Sequence, residues 1–140
     1  MSILFQKEIK SIEEVESVVN LMKPYVSAGA IFLLEGNLGA GKTTFISHLM
    51  ASYDFSEVSS PTYSLINSYM TKSIQRFLHI DLYRLKNDED IDSSGFWDVF
   101  IDKKNTVLIE WGSKINLSLW PMDWDIYQLK IKKKQNSRLY

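Results

Sequence analysis

The sequence has 140 residues and no cysteine, and its 16 basic and 17 acidic side chains leave a formal net charge of -1. A chain of this length is expected to form one domain, residues 1–140, with a substantial hydrophobic core. The composition excludes disulfides, thiolate metal sites and an overall polyanion-binding charge, and no apolar run has the ~18 residues of a membrane span. Since the N-terminus has no signal-peptide pattern, we expect a soluble, cytoplasmic protein.

Predicted strands and helices alternate along the first part of the chain. A strand over residues 3–9 precedes the capping-box pattern Ser11-Ile12-Glu13-Glu14, which is expected to open a helix that ends near Pro24. The apolar run at residues 30–34 predicts a strand buried on both faces, and residues 43–50 predict a helix with one apolar side.

Strand patterns dominate the remainder. Residues 63–69 and 76–82 predict a hairpin with a turn near 70–73, and the acidic stretch 86–94 is either a surface connection or a short helix. A second buried-type strand at 106–109 ends on Glu110, residues 127–131 alternate as an edge strand with one wet face, and the basic tail 132–140 is expected to fray. These elements predict an α/β fold of the P-loop NTPase-like three-layer type, with a mixed, mainly parallel central sheet flanked by helices.

A phosphate-binding loop stands between the first buried strand and the next helix. Residues Gly36-Asn37-Leu38-Gly39-Ala40-Gly41-Lys42-Thr43 match G-x-x-x-x-G-K-[ST]. Glycines let backbone N–H groups converge on an anion, and the helix N-terminus adds its dipole. The pattern assigns Lys42 to the β- and γ-phosphates and the Thr43 hydroxyl to Mg²⁺, so we expect a bound nucleotide.

Three residues are candidates to complete a hydrolytic site. Glu110 and Asp81 each follow an apolar strand, at the end of the sheet where α/β proteins bind ligands, although either can also be a solvated strand-end acid. Thr62, in Ser60-Pro61-Thr62, can belong to a loop that senses the γ-phosphate or to a simple turn. From the residues alone, His79 fits a structural histidine and Trp111 a core residue.

The order of these blocks resembles the TsaE (YjeE) family of small ATPases in bacterial tRNA threonylcarbamoyladenosine biosynthesis. After the phosphate loop come Ser60-Pro61-Thr62-Tyr63, His79-Ile80-Asp81-Leu82-Tyr83-Arg84, Gly95-Phe96 and Glu110-Trp111. The resemblance runs from about residue 5 to 131, with an acidic linker at 85–100. The sequence departs from many relatives by Ser47 in place of an arginine, by Gly112-Ser113-Lys114 in place of a proline-containing segment, and by a short C-terminal end.

The resemblance implies specific roles. Residues 39–44, Thr44 included, would hold the phosphates of ATP. Thr43 and Glu110 would hold Mg²⁺, with Asp81 ordering its waters or the attacking water. Thr62 would lie in a switch-like loop, while His79, Tyr83 and Arg84 would shape the site or face a partner. Trp111 would lie near the nucleotide, and the base would pack near Lys10-Ser11.

The same resemblance implies a Mg²⁺-dependent ATPase subunit that acts on a TsaB–TsaD complex, which transfers threonylcarbamoyl to adenosine 37 of tRNA. Since no arginine finger is evident, we expect weak hydrolysis alone and more with the partners. Contact with tRNA is expected only through that complex, and none with a membrane. An ATP-dependent assembly module with incidental turnover stays open, and so does a small-molecule kinase, although residues 86–102 contain no arginine to close over a phosphate. The absence of an N-K-x-D pattern disfavours a GTPase.

Overall fold

The computed structural model describes residues 6–36, 41–53, 66–70, 76–83, 88–93, 96–101, 103–112, 115, 120–121, 123–133 and 137–140. Its strands are β1 (Glu8–Ile9), β2 (Ala30–Glu35), β3 (Ile66–Met70), β4 (Arg76–Asp81), β5 (Asn105–Glu110), β6 (Asp125–Lys130), β7 (Lys132–Lys133) and β8 (Arg138–Leu139). The main sheet has the order β3-β4-β5-β2-β6, and a small second sheet has the order β1-β8-β7.

Four strands of the main sheet run parallel. β2 pairs in parallel with β5 on one side and β6 on the other, β4 pairs in parallel with β5, and β3 is antiparallel to β4. The central strands β2 and β5 consist of runs that are buried along nearly their whole length, as expected of strands covered on both faces. The predicted mixed, mainly parallel sheet is therefore confirmed, as is the hairpin pairing of β3 with β4.

Helices cover both faces of this sheet. Helices α1 (Val15–Met22) and α2 (Lys42–Ala51) pack in one buried cluster with Phe32 and Leu34 of β2. The alternate β2 residues, Ile31 and Leu33, belong to a second cluster with residues of α3 (Asp88–Ser93) and the 3₁₀ helix Phe96–Phe100. Because successive side chains of a strand point to opposite faces, this division places one helical layer on each side. No helix in the described segments has the length and apolar character needed to cross a membrane.

The first helix begins later than the capping-box pattern predicts. Ile12–Glu14 forms a 3₁₀ turn, and the α-helix begins at Val15. The Glu14 carboxylate accepts the Lys10 N–H (3.0 Å) instead of that of Ser11, and the Glu14 N–H donates to the Ser11 backbone carbonyl (3.2 Å), so the predicted reciprocal capping box does not form. At the other end Pro24 lies inside a second 3₁₀ turn, Lys23–Tyr25, which confirms that the α-helix stops before it.

The prediction of a frayed basic tail was wrong. Arg138–Leu139 forms the central strand of the small sheet, between the N-terminal β1 and β7. Lys7 and Tyr140 exchange two backbone hydrogen bonds, and the Tyr140 side chain is buried against Phe45 of α2. The lysine-rich composition of the tail gave no indication that a strand followed by the buried Tyr140 ends the chain. The predicted strand at 3–9 also shortens, because within the described part of that range the strand comprises Glu8–Ile9.

Candidate functional site

The polar residues singled out in the sequence meet at the carboxyl edge of the parallel strands. β2 ends at Glu35 and leads to Gly36, β4 ends at Asp81 and β5 ends at Glu110. In the sheet register Asp81 lies beside Glu110, and Glu110 lies beside Leu34. Neighbouring strands are about 4.8 Å apart, so the two acids sit next to each other in front of the helix that follows β2. This edge is where open α/β sheets bind their ligands.

Helix α2 begins at this edge through a glycine in a left-handed conformation. Gly41 has φ 112° and ψ 19°, and its carbonyl accepts the Phe45 N–H at 2.9 Å as the first turn of the helix closes. Side chains rarely adopt such a φ, so the glycine of the phosphate-loop pattern is required by the backbone here. The turn leaves the N-terminal N–H groups of α2 at the same edge as the two acids, an arrangement that binds anions.

Lys42 is the buried cation of the site. Its Nζ donates to the Gly36 carbonyl at 2.9 Å and lies 3.9 Å from the centre of the Trp111 ring. Burial lowers the pKa of Lys42 from its ordinary value, while the negative charges of Glu110 and Asp81 act in the opposite direction. The lysine therefore spans both ends of the loop and is coupled to both acids.

The two acids are held differently. Glu110 is 3% exposed, and its Oε2 lies 2.6 Å from His79 Nε2. Asp81 is half-buried, and its Oδ1 accepts the Tyr83 N–H at 2.9 Å. The Glu110 carbonyl also accepts the Leu82 N–H at 3.1 Å, which extends the β4–β5 pairing one residue beyond Asp81. Both carboxylates thus have defined neighbours at the strand ends.

Trp111 follows Glu110 in an unusual backbone conformation. Its φ of 63° is positive, which is uncommon for a bulky residue and is found where surrounding structure enforces it. The ring contacts Lys42 on one side and the Tyr83 ring at 5.0 Å. A Cβ at the next residue, Gly112, would lie 2.8 Å from Leu33 Cδ2, so the chain leaves the site pressed against β2.

The donor set fits Mg²⁺. Thr43, the second residue of α2 and half-buried, offers a hydroxyl, and Asp81 and Glu110 offer carboxylates. All three are hard oxygen donors, and Mg²⁺ is usually held by one or two carboxylates together with phosphates and waters. Within the described residues no three acidic, histidine or cysteine side chains form a metal site by themselves.

Some predicted site residues are not tested by this geometry. Asn37, Leu38, Gly39, Ala40, Thr62 and Arg84 lie outside the described residues. Thr44 is exposed on α2, next to Thr43. Ser11 is exposed at the start of the 3₁₀ turn, where its carbonyl accepts the Glu14 N–H, so its predicted place near the base stays a prediction. Ser47 donates its hydroxyl to the Thr43 carbonyl at 3.0 Å, within the helix.

Two contacts were missed in the sequence. The interpretation of His79 as a structural histidine did not include its contact with Glu110. The interpretation of Trp111 as a core residue did not include the contact of its ring with Lys42. The first depends on the register of β4 and β5, which pairs His79 with Leu108 and places Glu110 diagonal to the histidine. The second depends on the left-handed turn at Trp111, which no local pattern announces.

Comparison with known proteins gives consistent matches. The family described as Threonylcarbamoyl adenosine biosynthesis protein TsaE matches residues 9–139. The tRNA threonylcarbamoyladenosine biosynthesis protein TsaE of Borreliella burgdorferi is 34% identical over 111 residues, covering 77% of this chain and 80% of that protein. Its namesake from a Nostoc species is 37% identical over 106 residues, covering 71% of this chain but only 65% of the relative. The crystal structure of Bacillus subtilis YdiB shares the fold, with a TM-score of 0.72 and 24% identity over 96% of this chain and 81% of that one.

Proposed function

Because the chain belongs to the TsaE family of threonylcarbamoyl adenosine biosynthesis proteins, we propose that it is a Mg²⁺-dependent ATPase subunit needed for threonylcarbamoyl modification of adenosine 37 in tRNA. In this proposal it binds and hydrolyses ATP on a TsaB–TsaD complex in the cytoplasm. It contacts tRNA only through that complex.

One observation carries the ATPase proposal: Lys42, Asp81 and Glu110 converge at the start of α2. The lysine is within electrostatic reach of both acids, and all three lie where β2, β4 and β5 end. A cation and helix N–H groups favour phosphate, and carboxylates beside them favour a divalent cation. A general anion-binding turn has no need of acids at its edge, whereas Mg²⁺–nucleotide hydrolysis uses a carboxylate to hold the metal.

The side chains have distinct proposed roles. Lys42 would bind the β- and γ-phosphates, and Thr43, Asp81 and Glu110 would hold Mg²⁺, which neutralises the charge that develops on the phosphates. Asp81 is the more accessible acid and would also orient the attacking water. Glu110, nearly buried, would supply a fixed charge that needs no rearrangement during the reaction. Thr62 would act in a switch-like loop.

Partner stimulation is part of the proposal because the sequence has no evident arginine finger. Of its three arginines, Arg76 begins β4 at the opposite edge and Arg138 belongs to the small sheet, while Arg84 lies outside the described residues. An arginine supplied to the transferring phosphate raises turnover by roughly 10³–10⁵ in related phosphoryl-transfer systems. We therefore propose slow hydrolysis by the isolated protein, raised when a partner orders the site.

Steady-state ATP turnover, measured with and without the TsaB–TsaD complex, tests this proposal. Higher turnover with the complex is expected, and equal rates would reject partner stimulation. Glu110→Gln should abolish turnover while ATP still binds. Retention of tRNA modification by that variant would show instead that the protein is an ATP-dependent assembly module.

A further inference from the structure

His79 is the most deeply buried ionisable side chain beside the site. It is 0% exposed and lies two residues before Asp81, on the same face of β4. Its register partner on β5 is Leu108, so Glu110 is its diagonal neighbour, and the two side chains meet at 2.6 Å between Nε2 and Oε2. The contact therefore joins a fully buried residue of β4 to a carboxylate of the proposed site.

The other ring nitrogen, Nδ1, is buried without a hydrogen-bond partner among the described residues. Because Nε2 has a partner within the described part of the chain and Nδ1 has none, the hydrogen bonds indicate which ring nitrogen carries the proton. A charged imidazolium, or a protonated Glu110 donating to Nε2, would each leave an Nδ1–H buried without an acceptor, which is unfavourable. A proton on Nε2 alone leaves only an unsatisfied acceptor at Nδ1, and it gives the ionised Glu110 a charge-assisted donor.

We propose that His79 is a positioning residue, which donates its Nε2–H to Glu110 and fixes that carboxylate at the end of β5. The bond ties down one carboxylate oxygen, Oε2, and thereby sets the direction of the whole group toward Lys42 and the start of α2. Glu110 is nearly buried and would otherwise lose its solvent partners without replacement. The inference rests on the proposed ATPase function only for its effect on turnover, because the hydrogen bond itself is independent of nucleotide.

The hydrogen bond can be tested in the full chain without ATP. The sequence has two histidines, His48 and His79, so ¹⁵N-labelled imidazole spectra with His48→Gln for assignment resolve the His79 ring. We expect the Nε2–H form, a slowly exchanging Nε2 proton, and a marked shift of that proton in Glu110→Gln, where the acceptor is neutral. An Nδ1–H form, or a His79 signal unchanged by Glu110→Gln, would overturn the proposal.

Turnover of two His79 variants tests the consequence. His79→Gln can place an amide N–H near the position of Nε2, whereas His79→Leu fills the space without a donor. We expect the leucine variant to lower kcat about 10–100-fold with little change in the KM for ATP, and to need more Mg²⁺, as for other groups that orient metal ligands. The glutamine variant should recover most of both. Equal loss in the two variants, at matched thermal stability, would assign His79 a merely structural role.

The imidazole spectra and the turnover measurements distinguish failure of the hydrogen-bond proposal from failure of the proposed function. If the wild-type chain shows no ATP turnover with or without partners, the proposed function fails, while the imidazole spectra still decide the hydrogen bond. If His79→Leu does not fold, the spectra of the wild type and Glu110→Gln decide the proposal alone.

Discussion

Replacing Tyr140 by alanine tests whether the C-terminal strand belongs to the packed structure. The side chain is buried, its ring lies 5.9 Å from that of Phe45, and its backbone pairs with Lys7. Burial of an aromatic side chain removes about 150–250 Å² from water, worth about 4–6 kcal/mol at ~25 cal/mol per Å². A compact unfolded state reduces this by roughly 10–40%, so we expect Tyr140→Ala to lower the free energy of unfolding by about 3–5 kcal/mol.

Thermal and urea unfolding measure this loss. At about 3–5 °C per kcal/mol for a domain of this size, the midpoint should fall by roughly 10 °C or more. Tyr140→Phe should keep most of the stability, and Ser137→Ala, which removes a hydrogen bond to the exposed Glu8 carboxylate, should change it by less than about 1 kcal/mol. If Tyr140→Ala unfolds within two or so degrees of the wild type, the strand is not packed and the tail frays as its composition indicates.

Three further predictions concern the start of α2. In isothermal titration, Lys42→Ala should lose nucleotide binding, whereas Thr43→Ala should mainly weaken its Mg²⁺ dependence; unchanged affinity in the lysine variant would remove the loop from the site. Gly41→Ala should destabilise the protein by about 1–3 kcal/mol in urea unfolding, because its φ of 112° strains any side chain; an unaltered midpoint would contradict that conformation. Since burial lowers the pKa of Lys42, the folded chain binds fewer protons than the unfolded chain between that lowered pKa and 10.5. The stability of the wild type relative to Lys42→Met should therefore rise with pH through this interval, and a falling difference would show that the pKa is raised.

Much of the fold could be predicted from hydrophobic patterning. Residues 30–34 and 106–109 are short apolar runs, and only the central strands of a sheet covered on both faces bury such runs completely. Glu110 and Asp81 could also be placed at one edge of the sheet, because the carboxyl ends of neighbouring parallel strands lie at the same edge. Register, by contrast, follows from tertiary pairing, so the sequence could not show that Asp81 lies beside Glu110.

The errors have a common physical origin in contacts between distant residues. Lys132–Lys133 and Arg138–Leu139 read as solvated charge, yet strands are stabilised here by pairing with Glu8–Ile9 and by the Tyr140 anchor. Likewise, the positive φ of Trp111 arises where β5 leaves the sheet, and its ring covers a lysine 69 positions earlier in the sequence. Local propensities carry no information about residues that are distant in the sequence. Neither the pairing of the C-terminal strand nor the Trp111–Lys42 contact could therefore be inferred.

The electrostatics of Lys42 explain why this edge should favour a polyphosphate over a single anion. Its pKa is lowered although Glu110 and Asp81 both act to raise it, so the two carboxylates do not offset the burial of the ammonium group. His79 already engages one oxygen of Glu110, and Asp81 accepts the Tyr83 N–H. A phosphate chain would bring several negative oxygens to the lysine and the N–H groups of α2 together, and a metal ion bound to it would be held by the acids. Binding of a Mg²⁺–nucleotide would therefore offset the buried charges of Lys42 and Glu110 at the same time. We expect this to appear as thermal stabilisation by ATP with Mg²⁺ that exceeds the effects of either alone.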